Sequence, residues 1–367
     1  MTPVLQGLIE HARFVKDYAS ERKYNILLVK PFADKGMQER AFDEVCNVLD
    51  LDFSKKVEIK ESEFRKDLWL LLDKSEWATN NRIPQNLKKC VMKMPDIPEK
   101  HLIVGVFYYV LEKYKLAQKR LERAYDVSVS GKQKVYILLQ MCRVNLFQSE
   151  FEETKKCIGK LEKYKLTDNS KISFMGYKGL AWGLTGRLDE GINLIEEYIP
   201  TIETKNDPNY FIELGTIHNN LAILYHKKKM LDEAYKNFET ARKIWEKINY
   251  KRKLATIYNN IGDVALTKGN PNEAFEYFRK AVNICSQIDS KRIKVLSVLN
   301  QGQAYIKLGL FNIAERYIDD ALTLTLKLET KPFYDSIINN LAIAKSKINN
   351  FVYYYKFVEE KVPDLIN

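Results

Sequence analysis

The chain has 367 residues, 46% of them hydrophobic, with 59 Lys+Arg against 48 Asp+Glu and a formal net charge of +11. That apolar share can bury a core, and the basic excess is spread along the chain, which suits solubility and a mild preference for acidic partners better than nucleic-acid binding. The 15 Gly and 10 Pro are few for this length, so long helices joined by short turns are expected.

The most apolar run, Leu102 to Leu111, is about half of the ~20 residues that span a bilayer. Met1 to Glu10 holds no basic segment followed by an apolar run, so no secretory leader is read there. Cys46, Cys90, Cys142, Cys157 and Cys285 form no CxxC pair and read as buried thiols of a reducing compartment. A cytoplasmic chain without cofactor, metal or membrane span is the expectation.

Residues 1–100 follow no clean period. Gly36, Ala41, Val45 and Val48 match half of a helical repeat. Pro31, however, stands where the preceding helix would continue, and proline breaks helix interiors. An amphipathic helix is expected from Glu61 to Asp73 through Phe64, Leu68, Trp69 and Leu72. Pro84, Pro95 and Pro98 then mark a boundary. Degenerate repeats and a small helical bundle both fit this helical N-terminal region, with the repeat region running over 101–367.

Beyond residue 100 the chain repeats itself. Segments opening at Asn220, Asn260, Asn300 and Asn340 are spaced by 40 residues. Their small residues keep step at Ala222, Gly262, Gly302 and Ala342, and again at Ala234, Ala274 and Ala314. Phe238, Phe278 and Ile318 follow, then Ala241, Ala281 and Ala321. Small residues let paired helices approach closely, and the large residue with the alanine three positions later share a buried face. Gly269-Asn270-Pro271 reads as a turn and a helix start. Upstream, Gly179, Gly186 and Gly191, then Thr154 and Leu161, then Ala117 and Ala124 fill the same columns more loosely. About seven helix pairs are expected between residue 101 and the end of the chain.

These columns resemble the tetratricopeptide repeat family in its long form. The resemblance covers about residues 101–350. It departs from the pattern at Val352, where the small column is lost, and in the 130–165 unit, which has no turn glycine. It implies an all-α, right-handed superhelical solenoid with a concave groove lined by the first helix of each pair. The layout is also similar to Rap-like and arbitrium-like peptide-receptor regulators, although residues 1–100 match no effector domain of theirs.

The Asn column is the candidate site. Asn220, Asn260, Asn300 and Asn340 lie 100° from the core stripe, on the face that the resemblance places in the groove. An amide offers both donor and acceptor, as a peptide backbone does, so a ladder of them could clamp an extended chain. Similar Asn columns occur in bacterial pheromone receptors and kinesin light chains of this family. Thr216, Thr256, Leu296 and Ser336, with Ile223, Asp263, Gln303, Ile343 and Lys227, would select side chains. The competing role is that each Asn bonds to the adjacent helix and orients it. Lys251-Arg252-Lys253, Lys291-Arg292 and Lys331 form a second, basic column that reads either as an acidic-partner stripe or as solvated turns near helix C-termini.

His11, His101, His218 and His226 have no metal-ligand spacing, and no GxGxxG, GxxxxGK[ST], HExxH or GxSxG occurs. The expectation is a non-enzymatic scaffold that holds a peptide or protein segment. The alternative is the repeat segment of a larger signalling or transcriptional regulator.

Overall fold

The computed structural model describes residues 2–34, 44, 91–92, 94, 96–203, 211–288, 290–328 and 333–348. Among the described residues there are fifteen helices and no strand. They are α1 (Thr2–Phe14), α2 (Tyr18–Asp34), α3 (Pro98–Val110), α4 (Tyr114–Val127), α5 (Gly131–Gln148), α6 (Phe151–Leu161), α7 (Asp168–Leu184) and α8 (Leu188–Glu203). Then come α9 (Phe211–Lys227), α10 (Leu231–Lys247), α11 (Lys251–Thr267), α12 (Pro271–Ile288), α13 (Lys291–Lys307), α14 (Phe311–Leu326) and α15 (Tyr334–Lys347). No helix is long and apolar enough to cross a membrane among the described residues.

The chain divides into two compact units. Unit 1 comprises Met1–Leu224 with Glu246–Tyr250, and unit 2 comprises Tyr225–Trp245 with Lys251–Asn367. In unit 1, α1 packs on α2, and the pairs α3–α4, α5–α6 and α7–α8 follow one another. Leu102, Leu121, Ile137, Leu138 and Leu161 are buried at the centre of its main core. In unit 2, α11 packs on α12 and α13 on α14, α12 packs on α13, and α15 closes on α14.

The repeat columns are the interior. Ala234, Ala274, Ala314, Phe238, Phe278, Ile318, Ala241, Ala281 and Ala321 are all buried, as are Ala117, Ala124, Thr154 and Leu161 upstream. The glycine column shows why small residues are required. A Cβ built on Gly262 would stand 2.6 Å from the Phe278 ring, and one on Gly302 would stand 2.6 Å from Ile318 Cγ1. Paired helices therefore touch at bare backbone, and close packing leaves no slack for a methyl group.

The turn between paired helices needs one residue at positive φ. Gly186, Gly269 and Gly309 supply it, at φ +103°, +86° and +74°. In the other pairs Lys16, Glu112, Ser149 and Lys229 adopt it, at +57°, +61°, +62° and +67°. The 130–165 unit without a turn glycine thus makes the same turn, with Ser149 as the left-handed C-cap of α5.

Proline departs from expectation in one place. α2 runs through Pro31 to Asp34 instead of stopping before it. At Pro98 the ring takes the first turn of α3, where a missing N–H costs nothing. The readings of Gly36, Ala41, Val45, Val48, Glu61 to Asp73, Pro84, Pro95, Lys331 and Val352 lie outside the described residues.

Candidate functional site

The first helices of the pairs carry the Asn column. In unit 1, Asn220 sits on α9 and is buried. Its Nδ2 donates to the Gly176 carbonyl of α7 at 3.1 Å, tying consecutive first helices together. Thr216 and Ile223 lie half-buried on the same helix.

In unit 2 the column is uneven. Asn300 is buried on α13 and donates to Asn259 Oδ1 at 3.1 Å. The Ser297 hydroxyl donates to the same oxygen at 3.0 Å. One carboxamide oxygen of α11 thus accepts two bonds from α13, a polar stitch in a buried seam. Each such bond contributes about 0.5–1.5 kcal/mol net, and an unmade one costs more. Asn260 is half-buried. Asn340 on α15 is half-buried and turns its Nδ2 to its own helix, at 2.7 Å from the Ser336 carbonyl. Four equivalent, open amides are therefore not what the structure presents. Asn220 and Asn300 are engaged between helices because their backbones bring neighbouring first helices within reach.

The remaining candidates in unit 2 stay on the half-exposed face. Thr256 bonds back to the Arg252 carbonyl at 3.2 Å. Gln303 is half-buried, Lys227 exposed and Ile343 exposed. Asp263 has a half-exposed carboxylate, 3.6 Å from His226 Nδ1. His226 Nε2 lies 3.1 Å from Thr267 Oγ1, whose hydroxyl donates to the Asp263 carbonyl at 2.8 Å. The order Thr, His, Asp resembles a nucleophile relay, but the hydroxyl proton is committed to backbone and the His–Asp separation exceeds hydrogen-bond reach. The cluster is a polar rim.

Partial burial raises the Asp263 carboxyl above its ordinary value, against the opposing pull of His226 and Lys229. A raised carboxylate favours the folded state while protonated, and that advantage is lost as pH rises through the folded pKa. Asp263→Asn is accordingly expected to melt at or above the wild-type temperature at pH 7. The difference shrinks as pH falls toward the ordinary carboxylate range, and melting curves at pH 7 and pH 4 check it. A variant that melts lower at pH 7 would show the ionised group to be stabilising.

The basic column is not a continuous stripe. Arg252 is buried, Lys253 lies 5.4 Å over the Trp245 ring, and Arg292 lies 4.9 Å over Phe333. Lys251 donates to Gln287 at 3.3 Å. Much of this charge is used in packing and caps. Sequence reasoning missed Asn259 and Ser297. The signal for Ser297 is present: it interrupts a column otherwise filled by Ile217, Ile257 and Ile337. Cys142, Cys157 and Cys285 are buried and in no disulfide, and Cys46 and Cys90 lie outside the described residues.

Consecutive helix pairs with small residues at each crossing define a helical-repeat fold. Residues 213–287 match the tetratricopeptide repeat family. No curated protein matches it by sequence. Among solved structures, a signal transduction ATPase with numerous domains and a tetratricopeptide repeat sensor, from Pyrococcus horikoshii, is similar at 16% identity and a TM-score of 0.59. That match covers 90% of this chain and 54% of the other, so the chain spans about half the length of that protein. A Rap protein solved in complex with Competence and Sporulation Factor is similar at 10% identity and a TM-score of 0.55, covering 93% of this chain and 99% of that one. At these identities the likeness is one of fold.

Proposed function

We propose that the chain is a non-enzymatic scaffold that binds an extended peptide or protein segment on the first-helix face of unit 2. The observation that carries this reading is the row of half-buried and exposed residues repeated at the 40-residue spacing outside the core columns. It comprises Thr256, Asn260 and Asp263, then Gln303, then Asn340 and Ile343. Asn and Gln offer donors and acceptors to a backbone, Asp263 offers a negative charge, and Ile343 offers an apolar contact. Lys227 belongs to the same set, and Thr216 and Ile223 form a separate half-buried pair on unit 1. The fold shared with a Rap protein that was crystallised with a bound factor supports a role in signalling. A soluble cytoplasmic setting completes the reading.

The test is site-specific photo-crosslinking in cells. A photoreactive residue at Gln303 should capture a segment that one at the exposed Lys236 on α10 does not. Capture from Lys236 alone would move binding off the first-helix face.

A second reading has its own support. The likeness to the Pyrococcus horikoshii protein covers most of this chain but about half of that protein. It favours the repeats as the sensor segment of a larger regulator.

A further inference from the structure

The seam between each second helix and the next first helix of unit 2 follows a register of 40 residues. Its facing positions are Phe275 and Tyr305, then, 40 residues on, Glu315 and Lys345. At the first of these seams the two rings meet edge to face, with centroids 5.1 Å apart, and Tyr317 packs on both. At the last seam the same two positions hold an ion pair, Lys345 Nζ on Glu315 Oε1. The Lys345 side chain is 2% exposed, and it is among the largest fully buried side chains of the chain.

Asp319 of α14 also feels that lysine, with Glu315 and Asp320 beside it on the same helix. On α13, Tyr305 packs on Tyr317 of α14. Asp319 Oδ1 is buried without a hydrogen-bond partner. Burial raises its carboxyl above the ordinary value, Lys345 opposes that, and Glu315 and Asp320 add to it.

The entry to α15 is strained as well. Phe333, its N-cap, adopts φ +63° and ψ +11° and gives the helix no side-chain cap. Left-handed backbone is uncommon for a bulky residue, and an uncapped N-terminus leaves orphan N–H groups.

An aromatic seam and an ionic seam differ most when they open. Parting Phe275 from Tyr305 exposes apolar rings to water, which opposes opening in proportion to the area uncovered. Parting Lys345 from Glu315 returns two ions to water and recovers the hydration that burial had removed. A half-open ionic seam is the worst case, because it leaves charges neither paired nor solvated. Such a seam therefore favours two states, closed or fully open.

We propose that α15 is a charge-latched helix that docks and undocks from α14 as a unit, ahead of the other helices of unit 2. The latch stands without the binding reading. Its consequence rests on that reading: undocking carries Asn340 and Ile343 away from the face, so the latch sets how long the face is.

Hydrogen exchange with mass spectrometry on the full chain, without added ligand, tests the latch. In the wild type, the amides of 334–347 should exchange at least about tenfold faster than those of 291–307, a gap of about 1.4 kcal/mol. Lys345→Tyr combined with Glu315→Phe installs the pair found at the preceding seam, and should slow α15 until that gap narrows to about threefold or less. Glu315→Gln removes the carboxylate that Lys345 is paired with and should speed α15 at least about tenfold while α13 is unchanged. Equal exchange of α15 and α13 in the wild type would overturn the latch. So would an α15 rate that neither change moves, and Glu315→Gln alone decides if the double variant does not fold. Adding the segment captured at Gln303 separates the two proposals. Slowed α15 exchange supports the consequence for binding, and unaltered exchange removes that consequence while leaving the latch in place.

Discussion

Phe278→Ala is expected to destabilise unit 2 by about 3–5 kcal/mol, the range for truncating a buried phenylalanine. The ring is fully buried and lies in a small cluster with Ala265, Leu266, Ala274 and Ala304. Three of those four neighbours are alanines, which have no side-chain reach to fill the space that the ring would leave. Partial collapse, which moderates such losses elsewhere, is therefore limited here, and the upper part of the range applies. The facing glycine provides an internal control. Gly262→Val alone places a Cβ against the ring and overpacks it, at a cost of about 1–3 kcal/mol. Combined with Phe278→Ala, the valine instead enters the vacated volume, so the double variant should be more stable than the sum of the two losses predicts. Urea unfolding of the three variants measures this. Strict additivity would show that Gly262 and Phe278 do not share one contact, and the register of the pair would fall with it.

Much of this packing is legible in the sequence because the 40-residue period repeats the same steric demand at each crossing. Ala234, Ala274 and Ala314 announce themselves by recurrence, as do Gly262 and Gly302. The turns are legible only where the residue is glycine. The backbone asks for positive φ at one position, and Glu112, Ser149 and Lys229 meet that demand with side chains that carry no turn signal. The site is less legible than the fold. Adjacent residues on a helix differ by 100° in direction, so a small local rotation decides whether an asparagine meets the neighbouring helix or the solvent. Asn259, one residue from the predicted column, is the one that receives the buried bonds at its seam. Lys345 gives no sequence signal at all, because lysine near a helix C-terminus is ordinarily a solvated complement to the dipole. Its significance comes only from Glu315 lying across the seam, 30 residues away.

The uneven Asn column makes binding and stability separable. Asn300→Ala removes one of two hydrogen bonds on a buried oxygen, so it should lower stability by about 0.5–1.5 kcal/mol. Asn259 keeps its bond from Ser297, which places the loss toward the lower end. Asn260→Ala combined with Asn340→Ala acts on half-buried side chains. Asn340 bonds only within its own helix in the contact described above, so Asn340→Ala should leave the melting midpoint nearly unchanged, as surface substitutions generally do, and the melting curve of the pair shows what Asn260 adds. Its effect should appear in binding. Two amides that each satisfy a backbone group of a bound segment contribute about 0.5–1.5 kcal/mol apiece, and truncation also strands the partner group. The combined loss is at least about tenfold in affinity, since 1.4 kcal/mol is a factor of ten. Calorimetry with the segment captured at Gln303, run beside melting curves on the same preparations, gives both readouts. The expected pattern is crossed: Asn300→Ala changes stability more than affinity, and the Asn260 and Asn340 pair changes affinity more than stability. If the Asn260 and Asn340 pair lowers stability and leaves affinity intact, the column orients helices throughout, and the segment must be held by Asp263, Gln303 and Ile343 without it.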